Sequence, residues 1–159
     1  MRILLIHDTL LMPTNAKSIL SNFGQVIELN DGMESISKIV NANIINIDVV
    51  FIDVILPKIS GIEIVKKIRE IEKVRHSEKI SYIVMVSLPG YMLDNQELLN
   101  IGADKVFVKP ITYEAVKEYF LEVGLIKEWY IQEKNFKFFS FYFLYIFKLD
   151  TKNANIKIL

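Results

Sequence analysis

The sequence predicts an α/β protein built on a doubly wound, five-stranded parallel sheet, and three observations carry that expectation. Short apolar, β-branched runs recur along the first 124 or so residues, and each is followed by a segment with apolar residues at helical spacing. Several of these runs stop on a polar residue with turn chemistry close behind. Regular strand–helix alternation calls for right-handed crossovers with helices on both faces of the sheet. The run Val49 to Asp53 is the pivot: it is apolar until Asp53, and Pro57 and Gly61 follow. A buried parallel strand there delivers one carboxylate to a loop beyond its carboxyl end.

Taken in order, Arg2 to Ile6 reads as the first strand, with His7 and Asp8 at its tip. From Pro13, the residues Ala16, Ile19, Leu20 and Phe23 give a helix for which Gly24 is the expected stop. Gln25 to Leu29 makes a short second strand and Asp31-Gly32 a turn. Met33, Ile36, Ile39 and Val40 then mark a second helix reaching about Ala42. An Asn-rich link leads to the third strand. Ile62, Ile64, Val65, Ile68 and Ile71, interspersed with charges from Lys66 to Lys73, give a third helix with one wet face. Ser81 to Val86 is a fourth strand ending at Ser87, with Pro89-Gly90 turning the chain. Leu93, Leu98, Leu99 and Ile101 mark a fourth helix closed by Gly102. Lys105 to Val108 is the fifth strand, ending in Lys109-Pro110, and Thr112 caps a fifth helix carrying Ala115, Val116, Tyr119, Phe120 and Val123.

Composition narrows the function. Nineteen basic residues balance 19 acidic ones, so no bulk charge draws the chain to nucleic acid. No winged-helix or helix-turn-helix pattern is visible, and residues 125–159 carry no basic stripe. The absence of cysteine removes disulfides and thiolate chemistry. The apolar start ends at His7-Asp8, too short for a secretory signal, and a cytoplasmic protein is expected.

The predicted strand ends bring His7, Asp8, Asp53, Ser87 and Lys109 toward one edge. Each has an ordinary alternative: Asp53 and Asp8 as loop caps, Ser87 as turn chemistry, Lys109 as a snorkelling lysine, His7 as a partly buried polar group. His76 lies in a polar connector and reads as surface. Jointly, residues 1–124 resemble the receiver domain of bacterial two-component response regulators, in particular the chemotaxis-regulator type. The motifs that carry the resemblance are His7-Asp8, Asp53-Val-Ile-Leu-Pro57 with Gly61, Ser87, and Lys109-Pro110. It implies a flavodoxin-like sheet of order 2-1-3-4-5, and phosphoryl transfer from a histidine kinase or phosphotransfer protein to Asp53, followed by slow self-catalysed hydrolysis. It also implies a Mg²⁺ held by Asp8, Asp53 and the backbone carbonyl of Ile55, with Ser87 and Lys109 on the phosphoryl oxygens. The output is an altered surface for an unknown downstream protein, or for a second copy through the helix 4–strand 5–helix 5 face.

Three positions depart from the family pattern. His7 stands where a second acid is usual; it offers a nitrogen donor poorly matched to magnesium. Val106 replaces the aromatic residue usual three places before the lysine, while Phe107 alternates to the opposite side. Leu88 is bulkier than the usual residue after Ser87. These motivate a rival expectation, a receiver-like interaction module that works without phosphorylation. A phosphatase-type hydrolase with an aspartyl nucleophile fits less well, because Ile55 occupies the place of its second acid. Residues 125–159 form an aromatic-rich extension without a recognisable effector domain. Trp129, Tyr130 and the segment Phe136 to Phe147 hold 10 of the 18 aromatic residues. The apolar segment is well short of the roughly 20 residues of a membrane helix, and self-packing and dimerisation both stay open for it.

Overall fold

The five apolar runs are strands β1 (Arg2–Ile6), β2 (Gln25–Leu29), β3 (Val49–Asp53), β4 (Tyr82–Ser87) and β5 (Lys105–Val108). In the computed structural model, which describes residues 1–8, 15–40, 47–74, 81–91 and 94–127, they form one parallel sheet in the order β2-β1-β3-β4-β5. Burial follows position. Every residue of β3 is buried, whereas edge strands β2 and β5 are largely half-buried. The chain passes from β1 outward to β2 and then crosses back to β3 on the other side of β1, so the crevice beyond the carboxyl ends of β1 and β3 is the switch point where α/β sheets place their sites.

The helices are α1 (Ala16–Ser21), α2 (Gly32–Val40), α3 (Gly61–Val74), α4 (Asn95–Ile101) and α5 (Tyr113–Glu122). Leu4, Ile6, Val50, Ile52, Ile83 and Met85 point to one sheet face, where they pack with Ile64, Val65 and Ile68 of α3 and Leu98 of α4. Ile36 and Ile39 of α2 and Val106 of β5 join that cluster. The alternate residues Ile3, Leu5, Phe51 and Val84 fill the other face. There Phe107 meets Phe51 with ring centres 6.3 Å apart, and Phe23 after α1 stacks on Tyr113 at the start of α5, 5.0 Å away. The two faces of β5 thus separate Val106 from Phe107 as the alternation requires.

Some expectations change in detail. Gly24 does not end α1 through a left-handed turn; a side chain there would put Cβ 2.3 Å from the Met1 carbonyl oxygen, so glycine is needed for close approach to the start of β1. Asp31-Gly32 is a helix start rather than a free turn. Asp31 Oδ1 accepts the Met33 N–H at 2.8 Å, and Gly32 is the first residue of α2. Helix α4 begins at an Asp94–Glu97 capping box and closes over Gly102. The Thr112 hydroxyl caps α5 by accepting the Ala115 N–H at 3.2 Å. Pro13, Ala42, His76, Leu93 and the aromatic extension from Trp129 lie outside the described residues.

The chain divides into two compact units, Met1–Lys117 and Glu118–Leu159. Within the second, Gly124 has φ +72°, and the N–H groups of Leu125 and Gly124 donate to the carbonyls of Phe120 and Leu121 at 2.9 and 3.1 Å. This Schellman closure follows the end of α5 at Gly124.

The amino-terminal rim of β4 and β5 is clamped by Arg69 of α3. Its guanidinium donates to Glu72 (2.7 Å), Asp104 (2.6 Å) and the carbonyls of Ser81 and Gly102 (both 2.9 Å). Asp104 in turn accepts the Ile83 N–H at 2.6 Å, and Glu72 the Ser81 N–H at 2.8 Å. Removing the planar fork strands several half-buried acceptors at once. Arg69→Met is expected to destabilise the fold by about 2 kcal/mol in urea unfolding, with the chemistry at the opposite rim unchanged.

Candidate functional site

The β1–β2 ladder runs one residue past Ile6, with the His7 N–H donating to the Leu29 carbonyl at 3.1 Å. That extension carries His7 and Asp8 to the carboxyl rim, both buried. Beside them β3 ends on Asp53, 6% exposed. The chain then folds back: the Val54 N–H donates to Val86 (2.9 Å) and the Gly61 N–H to the Val54 carbonyl (3.0 Å). A Cβ on Gly61 would stand 2.1 Å from the Asp53 carbonyl oxygen. Glycine at 61 therefore lets α3 start directly against the carboxylate-bearing residue. Between them, the Pro57 carbonyl accepts the Ile59 N–H at 2.8 Å around Lys58, whose φ of +67° is left-handed. The Lys58 ammonium pairs with Asp31, tying this loop to the start of α2.

Lys109 reaches the same rim from β5. Its N–H donates to the Ser87 carbonyl at 2.9 Å, and the Lys109–Pro110 peptide is cis. The ammonium lies 2.6 Å from Asp53 Oδ2, with the side chains only 13% and 8% exposed. The Asp8 backbone N–H also bonds to the Asp53 carboxylate. Burial nonetheless pushes the Asp53 carboxyl above the ordinary aspartate range, a penalty that the Lys109 ammonium, the His7 ring and the Asp8 N–H offset only in part. This carboxylate is one that a further positive charge would relieve.

Asp53, the Lys109 ammonium and the Asp8 backbone N–H thus meet at the carboxyl rim. Ser87 is buried on the neighbouring strand end, and its hydroxyl donates to the Phe107 carbonyl through a long 3.4 Å contact rather than to Asp53. The Ile55 side chain faces solvent, 43% exposed. His7 turns Nε2 to Glu28 Oε1 at 2.7 Å, while its buried Nδ1 has no hydrogen-bond partner among the described residues. Glu28 is held by Lys17 of α1 at 2.6 Å; Lys17 first and then His7 lower its carboxyl below the usual range. Sequence reasoning missed Glu28 and Lys17. The sequence offered one acid in an otherwise mostly apolar strand; its place opposite Leu5, on the face of His7, shows only in the structure's register.

No group of three or more acidic or histidine side chains assembled for a metal occurs among the described residues. Magnesium makes a smaller demand, one or two carboxylates with retained waters, and the buried carboxylates Asp8 and Asp53 fit it. Beside the pair, on the α1 side of the sheet, is a cavity of about 640 Å³ walled mainly by apolar residues such as Leu5, Phe51 and Val86.

The sequence profile of the response regulator receiver domain matches residues 3–120. The chain belongs to this family. Similar proteins include Chemotaxis protein CheY1 of Helicobacter pylori, 28% identical over 120 residues, covering 74% of this chain and 92% of that protein. Probable histidine kinase 2 of Oryza sativa is also 28% identical, over 130 residues, but the chain spans only 12% of its length. Among solved structures, the CheX–CheY–BeF3–Mg complex of Borrelia burgdorferi matches with 26% identity and a TM-score of 0.63, covering 79% of this chain and 90% of that one. The receiver fold and a place in two-component signalling follow. No helix among the described residues is long and apolar enough to cross a membrane.

A raised carboxyl pKa means that the fold binds the Asp53 proton more tightly than the unfolded chain does, so ionised Asp53 costs stability as pH rises. Asp53→Asn is expected to raise the melting temperature at pH 7 by about 2–5 °C. In thermal scans the gap should narrow as pH falls toward the ordinary aspartate value of 3.8.

Proposed function

We propose that this receiver accepts a phosphoryl group on Asp53 from the phosphohistidine of a histidine kinase or phosphotransfer protein, in a Mg²⁺-dependent reaction, and thereby switches a partner-binding surface. The observation that carries the reading is the buried Asp53 carboxylate with Lys109 at 2.6 Å and the Asp8 N–H on the same group. Membership of the family and the BeF3 and Mg present in the Borrelia CheY complex support it.

Asp8, Asp53 and the Ile55 backbone carbonyl would hold the ion, which when bound would supply charge neutralisation for the incoming phosphoryl. The chain's own groups do the rest. An Asp53 carboxylate oxygen forms the new P–O bond as the P–N bond to the donor imidazole breaks. Lys109, already poised, transfers its ammonium from the carboxylate to a phosphoryl oxygen. Ser87 gives up its long contact to Phe107 and donates to another phosphoryl oxygen, drawing the β4–α4 turn inward. Water later hydrolyses the acyl phosphate and restores Asp53. The receiver spans residues 1–124, with the aromatic extension or the α4–β5–α5 face available to a second copy or a downstream protein, in the cytoplasm.

A second reading, a module that binds partners without phosphorylation, is favoured by one feature. His7 occupies the place of a second acid and is bonded to Glu28. Incubation with Mg²⁺ and acetyl phosphate, followed by intact-mass spectrometry, separates the two. One added phosphoryl that disappears in Asp53→Asn and forms about 100-fold more slowly in Lys109→Gln supports the first reading; no adduct at any magnesium concentration selects the second. A companion measurement concerns the metal. Replacing His7→Asp in a Glu28→Gln background adds an oxygen ligand without a facing carboxylate, and calorimetric titration should show about tenfold tighter Mg²⁺ binding.

A further inference from the structure

Phosphoryl transfer at the sheet rim makes no use of the aromatic run that follows α5. The helix closes before that run begins: the Ile126 N–H returns to the Phe120 carbonyl at 3.2 Å, and Ile126 is buried while Lys127 is exposed. Eight of the 12 residues at 136–147 are aromatic, and the ten between Lys137 and Lys148 carry no charge. Their apolar residues fall on every side of a helical pattern and on both faces of a strand pattern, so neither period leaves a polar face. A groove on another protein covers one side of such a segment. A run that is apolar all round calls for apolar surroundings on all sides.

Charge points to the kind of surroundings. Residues 134–159 hold five lysines, Lys134, Lys137, Lys148, Lys152 and Lys157, against the single acid Asp150. Their net charge of +4 is set against −4 on residues 1–133, which the neutral whole-chain balance conceals. These lysines form no stripe; they bracket the run, two ahead of it or at its start and three behind. Aromatic rings with flanking lysines suit a bilayer–water interface, where rings settle at the level of the headgroups and ammonium groups meet lipid phosphates. Ten uncharged residues are about half the roughly 20 needed to cross a bilayer, enough to enter one leaflet without spanning it.

We propose that residues 129–157 seat this chain on the surface of an anionic lipid bilayer, with the aromatic run entering one leaflet and the bracketing lysines against lipid phosphates. The receiver then works at a membrane surface rather than free in solution. Binding of lipid is independent of phosphorylation at Asp53.

Trp129 is the chain's single tryptophan and reports from the same segment. The full chain is titrated with vesicles of phosphatidylcholine alone and with vesicles in which about one-third is phosphatidylglycerol. With the anionic vesicles, Trp129 emission should move to the blue and be quenched by brominated acyl chains, and affinity should be about 100-fold higher than for the neutral vesicles. Lys134→Gln, Lys137→Gln and Lys148→Gln together should remove most of that preference. Phe138→Ser, Phe141→Ser and Phe143→Ser together should abolish binding to both vesicle types. Salt at about 1 M should erase the preference in the unaltered chain, a check that needs no variant to fold. Equal affinity for the two vesicle types, a preference that survives high salt or the lysine replacements, or Trp129 emission unmoved by lipid would each overturn the proposal. So would blue-shifted Trp129 emission without lipid in a chain that sediments as a dimer, which gives the run to a second copy.

Discussion

The structure turns on holding a carboxylate in a place where carboxylates are costly. Asp53 ends the most buried strand of the sheet, at the crevice where the chain's winding reverses. Burial there disfavours its charge more than Lys109 and the Asp8 N–H favour it. The surrounding architecture serves that position. The β1 ladder extends to deliver His7 and Asp8, Gly61 lets α3 start against the Asp53 backbone, and the β4–β5 pairing fixes Lys109 beside it. A carboxylate kept short of compensating charge is also one that welcomes a cation or a phosphoryl group bearing one.

Stability and chemistry occupy opposite rims of the sheet. At the amino-terminal rim, Arg69, Glu72 and Asp104 tie α3 to the entrances of β4 and β5 with short, mutually satisfied bonds. Asp48 does the same for β1, accepting the Arg2 N–H at 2.6 Å. At the carboxyl rim the Ser87 hydroxyl makes a long contact to the Phe107 carbonyl, and His7 Nδ1 has no hydrogen-bond partner among the described residues.

Much of this was legible in the sequence because the central strands are buried on both faces and must read as unbroken apolar runs. Val49 to Asp53 and Tyr82 to Ser87 announce themselves, and with them the rim residues that end them. The Asp53, Asp8 and Lys109 positions followed from strand ends alone once the sheet was parallel. Other features depended on contacts distant in sequence. Gly24 looks like a helix stop until the Met1 carbonyl is seen where its side chain would be. Asp31-Gly32 looks like a turn because caps and turns favour the same residues. Glu28 was illegible because its partner His7 is a neighbour only across the ladder, and sequence carries no register.

The Arg69 clamp has a consequence for how such a protein can diversify. Because the Arg69 bonds lie at the rim away from Asp53, an exchange beside Asp53 leaves that clamp in place, and a histidine stands at position 7 where the family pattern has an acid. The scaffold therefore tolerates experiments in signalling chemistry, and its sequence can wander toward new donors, ions or ligands while its architecture stays put.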